Sequence, residues 1–229
     1  MKRFVATLQN LYQRRAAKAM FADWSPLYET EVAENKYSAA NAVALTAIQS
    51  LGRSGTQNPV IIDAGIGTGL LAQQIHDALP CRITGLDFTQ DMMAVCAARE
   101  ITELLIKCDV GKDDWPVASA SADMVMSAGL LEYLTPDMAV HFLRESMRVL
   151  KPGGALVFTY LPRGEKERDI KIWRGHSGTY LTCGYKPDVM EQILKTTGFI
   201  LTDHSEPFRG CLFWNGSSYD YRLVFAKKP

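Results

Sequence analysis

Three aspartates stand out in this chain, each near the end of a short apolar run, with alternating glycines beside the first. Val60-Ile61-Ile62 ends in Asp63, and Gly65, Gly67 and Gly69 follow with small residues between them. A strand, a glycine-rich turn and a helix start make a site for a nucleotide-like ligand, because the backbone can approach the ligand where no Cβ stands in the way. A purely structural turn uses the same residues. The spacing is G-x-G-x-G, with Leu70 where a dinucleotide fingerprint has its third glycine. A carboxylate two residues before the first glycine repels a pyrophosphate and suits a ligand that carries an ammonium group. Asp87 lies 24 residues further on, at the end of the next apolar run. There a carboxylate can accept both hydroxyls of a ribose. Capping the following helix is the plainer use of that acid. Asp109 closes a third run, Leu105-Ile106-Lys107-Cys108.

Strands must hold these acids in place. From Pro59 onward apolar runs alternate with helix-forming stretches, the sign of a parallel sheet with crossover helices. Strands are expected at 60–63, 82–87, 104–108, 123–127 and 155–160, and helices at 69–79 and 90–100. Thr89 is expected to cap the second of these. Thr135-Pro136 supplies a cap and a first-turn proline for another helix reaching Leu150, and Lys151-Pro152-Gly153-Gly154 a turn. A helix at 187–196 and strands at 199–205 and 219–226 complete the set. Residues 20–50 read as helices broken at Trp24-Ser25-Pro26, and 51–59 as a linker. The basic opening puts Phe4, Leu8, Leu11 and Tyr12 on one helical face, although its composition also suits a transit peptide. Residues 161–184 break the rhythm with a polar, glycine-bearing stretch. The expected architecture is α/β: a doubly wound, seven-stranded, mostly parallel sheet whose last strand is antiparallel. Ligands bind beyond the C-terminal strand ends of such a sheet, where Asp63, Asp87 and Asp109 fall.

The Asp63–Gly69 segment resembles motif I of the class I S-adenosylmethionine-dependent methyltransferases. ADMVMSAGLLEYL (122–134) resembles motif IV, and LRESMRVLKPGGALVFTY (143–160) the helix, turn and fifth strand that follow. FADWSPLYETEVAENKY (21–37) is similar to the N-terminal segment of small-molecule members of the methyltransferase-11 and Williams–Beuren-region type. Trp24, Tyr28 and Tyr37 match there, and Phe21 and Ala22 depart from the usual Tyr-Asp. The resemblance implies S-adenosylmethionine as cofactor. It implies that Asp63, Ala64, Gly65 and Gly67 of the turn, and Ser127 at the end of the fourth strand, lie against that cofactor. It further implies that Asp87 holds the ribose, that Asp109 and the Val110 backbone serve the adenine, and that Phe88 and Met92 flank it, although both also suit core packing. Tyr28 is the aromatic expected to close over the methyl donor, or else to anchor the helical cap. Tyr37, Tyr133, Trp173 and Tyr180 are expected at the acceptor, within an aromatic pool that includes Trp24 and Trp214. The implied reaction is in-line methyl transfer to a small molecule. It needs a base only if the acceptor must lose a proton. Glu132, His141 and His176 are the candidates, with Glu132 best placed.

One domain over 1–229 is expected: a helical cap (1–50), a cofactor-binding core (60–160), a lid-like insertion (161–184) and a C-terminal helix with strands (185–229). Lys plus Arg equal Asp plus Glu at 25 each, which argues against a nucleic-acid binder relying on a broad basic surface. No run suits a membrane span. The five cysteines form no C-x-x-C pair, so no metal site is expected and a reducing, cytoplasmic setting is the simplest. Two alternatives stay open: methylation of a protein or nucleic acid, and a regulatory protein that binds the cofactor without turnover.

Overall fold

The computed structural model describes residues 14–164, 170–175, 178–212 and 218–229. Residues 14–24 are helical (α1), and a turn at 25–27 leads into α2 (Tyr28–Glu34). The chain continues through α3 (Ala39–Ser54), β1 (Val60–Ala64), α4 (Leu70–Ala78), β2 (Arg82–Asp87), α5 (Gln90–Ala97), β3 (Leu104–Lys107) and β4 (Ala122–Ser127). A 3-10 turn (Leu131–Tyr133), α6 (Pro136–Val149) and β5 (Leu150–Tyr160) follow. Then come β6 (Ile170–Gly175), β7 (Gly178–Cys183), α7 (Pro187–Thr196), β8 (Ile200–His204), β9 (Phe208–Leu212) and β10 (Ser218–Lys227).

The main sheet runs β3-β2-β1-β4-β5-β10-β8, with β9 paired to the outer end of β10 as an eighth strand. Strands β1 to β5 are mutually parallel, and β10 is antiparallel to both β5 and β8. The expected seven-stranded, mostly parallel sheet is present; β9 and the β6–β7 hairpin within the 161–184 insertion are additions to it. Strand order reverses between β1 and β4, so a crevice opens over their C-terminal ends.

Alternating side chains along each strand feed two cores. Ile62, Val125, Leu156 and Phe158 pack with α6 and α7, while Ile61, Met124, Met126 and Val157 pack with α3 and α4 on the other face. Helix α6 buries Met138, Phe142, Glu145, Ser146 and Val149 along one stripe. Helix α3 buries Ala40, Val43, Ala44, Ala47 and Leu51, small residues that bring it close to the sheet. It therefore belongs to the sheet's own layers, and among the described helices α1 and α2 stand outside them.

Local differences from the sequence pattern have plain causes. Helix α3 runs through Gly52 and stops at Gly55, so the linker is short. Thr89 and Thr135 sit at their N-cap positions but make no side-chain cap. The Asp87 carboxylate accepts the Thr89 N–H at 2.8 Å instead. Residues 151–154 bulge out within β5: Ala122 pairs with Leu150 and Met124 with Ala155. Lys228 clamps that bulge by backbone bonds to Gly153 and Gly154, and its ammonium group donates to the carbonyls of Met147 and Leu150 at the end of α6.

Candidate active site

Two adjoining cavities open at the sheet crevice. The smaller, about 70 Å³, is walled by Gly65 and Gly67 of the glycine turn and by Asp87, Phe88 and Met92 after β2. Asp109 and Val110 after β3 add to it, and Arg14 and Phe21 of α1 with Tyr28 of α2 close it. The larger, about 430 Å³, lies between the cap and the C-terminal strands. Trp24, Tyr28, Glu31 and Tyr37 line one side, Cys211, Tyr219 and Tyr221 the other, and Glu132 the base. Phe21, Tyr28, Gly129 and Tyr133 wall both cavities.

In the smaller cavity, Gly67 has φ near 56° and an added Cβ would meet no protein atom within 4 Å. The position is left-handed and faces open space. Its N–H donates to Asp87 Oδ2 at 2.9 Å. Each Asp87 oxygen therefore holds one backbone N–H and keeps a lone pair for a ligand. Burial raises the Asp87 carboxyl above its usual range, and these backbone bonds oppose that rise. Asp63 lies behind the turn, 1 % exposed, and its Oδ2 has no hydrogen-bond partner. Burial, reinforced by Asp87, pushes its carboxyl up to about 8.

Asp109 begins a loop fastened to α6. Glu145 accepts the Trp115 N–H at 2.7 Å, Arg148 donates to the carbonyls of Trp115 and Val117, and Trp115 Nε1 donates to the Val110 carbonyl. The Asp109 carboxylate accepts the Gly111 N–H and pairs with the Arg14 guanidinium. A second ion pair, Arg99 to Glu29 at 2.5 Å, ties α2 to the segment after α5.

In the larger cavity, Glu132 is 3 % exposed. Its Oε1 accepts the Tyr221 hydroxyl at 2.5 Å, and its Oε2 has no partner. Burial pushes this carboxyl up to about 7, the Tyr221 bond opposing. Burial also holds the Tyr28, Tyr37 and Tyr221 hydroxyls well above their usual range, so they stay protonated. Trp24 Nε1 donates to Glu31 at 2.8 Å, and Trp24 packs edge-on to Tyr28 at 4.8 Å. Gly129 leaves room for Tyr37: a Cβ there would overlap the Tyr37 hydroxyl, at a φ of 67°. Ser38 fastens the cap to β9 through bonds to the Arg209 and Gly210 carbonyls.

Of the residues expected at a cofactor, Tyr28, Gly65, Gly67, Asp87, Phe88, Met92, Asp109 and Val110 line the smaller cavity. Asp63, Ala64 and Ser127 line neither cavity. Ser127 is fully buried and donates its hydroxyl to the Ala64 carbonyl at 2.7 Å, stitching β4 to β1. Of those expected at an acceptor, Tyr37 and Tyr133 line the larger cavity. Trp173 and Tyr180 are register partners across β6 and β7; their side chains lie outside the described residues, as do Phe4, Leu8, Leu11, Tyr12, His176 and Trp214. His141 is held by the Asp113 carbonyl at 2.9 Å, away from both cavities. The sequence pattern missed Arg14, Gly129, Cys211 and Tyr221. Among these, only Tyr221 carried a signal, through the alternation of Tyr219, Tyr221 and Leu223 on the last strand.

Comparison with known proteins bears on this geometry. A family model described as a methyltransferase domain matches residues 61–154. A malonyl-[acyl-carrier protein] O-methyltransferase of Enterobacter lignolyticus is 26% identical over 161 residues, 70% of this chain and 59% of that protein. Human methyltransferase-like protein 27 is 27% identical over 146 residues, 63% of this chain and 58% of its own length. The chain thus spans about three fifths of these curated relatives. The fold is also that of a Burkholderia thailandensis 1,6-didemethyltoxoflavin-N1-methyltransferase solved with its acceptor and S-adenosylhomocysteine. The TM-score is 0.67 at 18% identity, over 94% of this chain and 89% of that one. Residues 61–154 thus match a methyltransferase domain, on a sheet of the order expected for the class I S-adenosylmethionine-dependent methyltransferases.

Proposed function

We propose that this protein transfers a methyl group from S-adenosylmethionine to a small-molecule acceptor, the smaller cavity taking the cofactor and the larger the acceptor. The observation that carries this reading is the shared wall of Phe21, Tyr28, Gly129 and Tyr133, which joins a glycine-turn cavity to an aromatic one. The similar fold named for N1-methylation of 1,6-didemethyltoxoflavin supports the small-molecule class.

The residues present fit the cofactor. Asp87 has lone pairs for two ribose hydroxyls, and Gly67 leaves open space at the turn. Phe88 and Met92 give apolar walls for a base, and Asp109 an acceptor for its amino group. Asp63, with one unpartnered oxygen behind the turn, is held protonated by burial, and an ammonium arriving at the turn would draw it back to its charged form. S-adenosylmethionine supplies a methyl group on a sulfonium, whose loss leaves a neutral thioether. The protein's part is to position both molecules and exclude water, which Tyr28 and Phe21 do at the shared wall.

Titration calorimetry with S-adenosylhomocysteine tests the cofactor half. Asp87→Ala should weaken binding by about 1.5–3 kcal/mol, the range for hydrogen bonds to a charged group. An unchanged dissociation constant would remove Asp87 from the site. The transfer half predicts that S-adenosylmethionine is converted to S-adenosylhomocysteine only when protein and a small-metabolite extract are both present.

A further inference from the structure

We propose that the larger cavity takes an uncharged or cationic acceptor with a flat apolar body, and that this acceptor presents an N–H or O–H to Glu132 Oε2. The inference deepens the reading of that cavity as the acceptor site and rests on it.

The first observation is the unmet oxygen. Glu132 is 3 % exposed and lines the cavity, and only one of its two carboxyl oxygens is bonded. A buried carboxyl oxygen without a partner is costly, and what it lacks is a donor. The Tyr221 hydroxyl already serves Oε1, so a donor on the molecule that fills the cavity would meet the remaining need. The second observation is the sign of the wall. Its charged members are Asp23, Glu31 and Glu132, and no Lys, Arg or His is among the described residues that line it. An acceptor bearing a carboxylate or phosphate would meet only like charge there. The third is the character of the remaining surface. Trp24, Tyr28, Tyr37 and Tyr221 offer aromatic rings, which stack on flat bodies and attract cations. The volume of about 430 Å³ suits a small molecule.

Three probes that share one ring system test this: naphthylmethylamine, naphthylmethanol and naphthoate. Each is titrated calorimetrically into the protein with and without saturating S-adenosylhomocysteine, whose own binding is measured first. The amine and the alcohol should each bind at least about tenfold more tightly than the carboxylate. Glu132→Gln should weaken the amine at least about fivefold and leave the S-adenosylhomocysteine constant unchanged. The wild-type series decides the matter even if that variant does not fold. Naphthoate binding as tightly as the other two overturns the proposal, and so does the failure of all three to bind. The expected order in a protein that does not bind S-adenosylhomocysteine would overturn the methyl-transfer reading and uphold the cavity's selectivity.

Discussion

At the scale of single residues, Glu132 and Gly129 set the character of the acceptor side. Glu132 ionises near pH 4.5 in the unfolded chain and near 7 when buried. Between those values the folded state holds a proton that the unfolded state has released. Stability contributed by this group is therefore full below about pH 4.5 and falls as pH rises towards 7, by at most about 1.4 kcal/mol per pH unit. The groups coupled to it, Tyr28, Tyr37, Tyr185 and Tyr221, are all held protonated by burial and do not titrate in this window. Thermal melts should thus show Glu132→Gln gaining on the wild type between pH 5 and 8, and a constant difference would refute the assignment. Gly129→Ala should lower stability by about 1–2 kcal/mol, the cost of a left-handed non-glycine residue, before its clash with Tyr37 is added. A melting temperature equal to the wild type's would show that the turn relaxes freely. Residue types were readable in advance where chemistry is local. Asp87 and Glu132 stand out because each follows a strand end. Arg14 does not, and the alternation on the last strand marks Tyr221 only as a strand residue, because their roles depend on partners 95 and 89 residues away.

At the scale of elements, the sheet and the helices of the cap were legible, and what fastens the cap was not. Strand alternation and helix stripes are short-range patterns, and β2 and α7 fall where those patterns end. The cap is held by long-range polar ties: Arg14 to Asp109, Arg99 to Glu29, and Ser38 to β9. No local pattern announces such pairs. The same distinction explains α3, whose alanines suit any helix and whose place against the sheet is decided by packing. The Arg14 pair also has an energetic consequence. It fills part of a cavity of about 70 Å³, whereas small-molecule sites run to roughly 300–1,000 Å³. If the smaller cavity takes the cofactor as proposed, α1 would draw back to admit it, and the ion pair would oppose that motion. Arg14→Ala should speed association of S-adenosylhomocysteine in stopped-flow fluorescence and reduce the salt dependence of that rate. Identical rates at all ionic strengths would mean that α1 is no gate.

At the scale of the whole molecule, the two cavities draw on different parts of the chain. The smaller is built mainly from 65–138, within the parallel strands and their loops, with α1 and Tyr28 added. The larger is built from 20–37 and 211–221, with Gly129, Glu132 and Tyr133 between them. Segment 20–37, held to the rest by a few polar ties, opens before the packed sheet does, whereas the β10 part of the C-terminal flank belongs to that sheet. With rising urea, binding of naphthylmethanol should be lost at a lower concentration than binding of S-adenosylhomocysteine, and coincident losses would show that the ends and the core open together. The seam between the ends also bears on descent. Substitutions in the two flanks at positions that wall the larger cavity alone, such as Trp24, Tyr37 and Tyr221, would change what is received without touching the smaller cavity. On the proposed reading, the middle of the chain would serve as the donor half and its flanks as the receiving half. Grafting 14–37 together with 205–229 onto another core of the same strand order should carry the acceptor preference across as a unit, and neither flank alone should suffice.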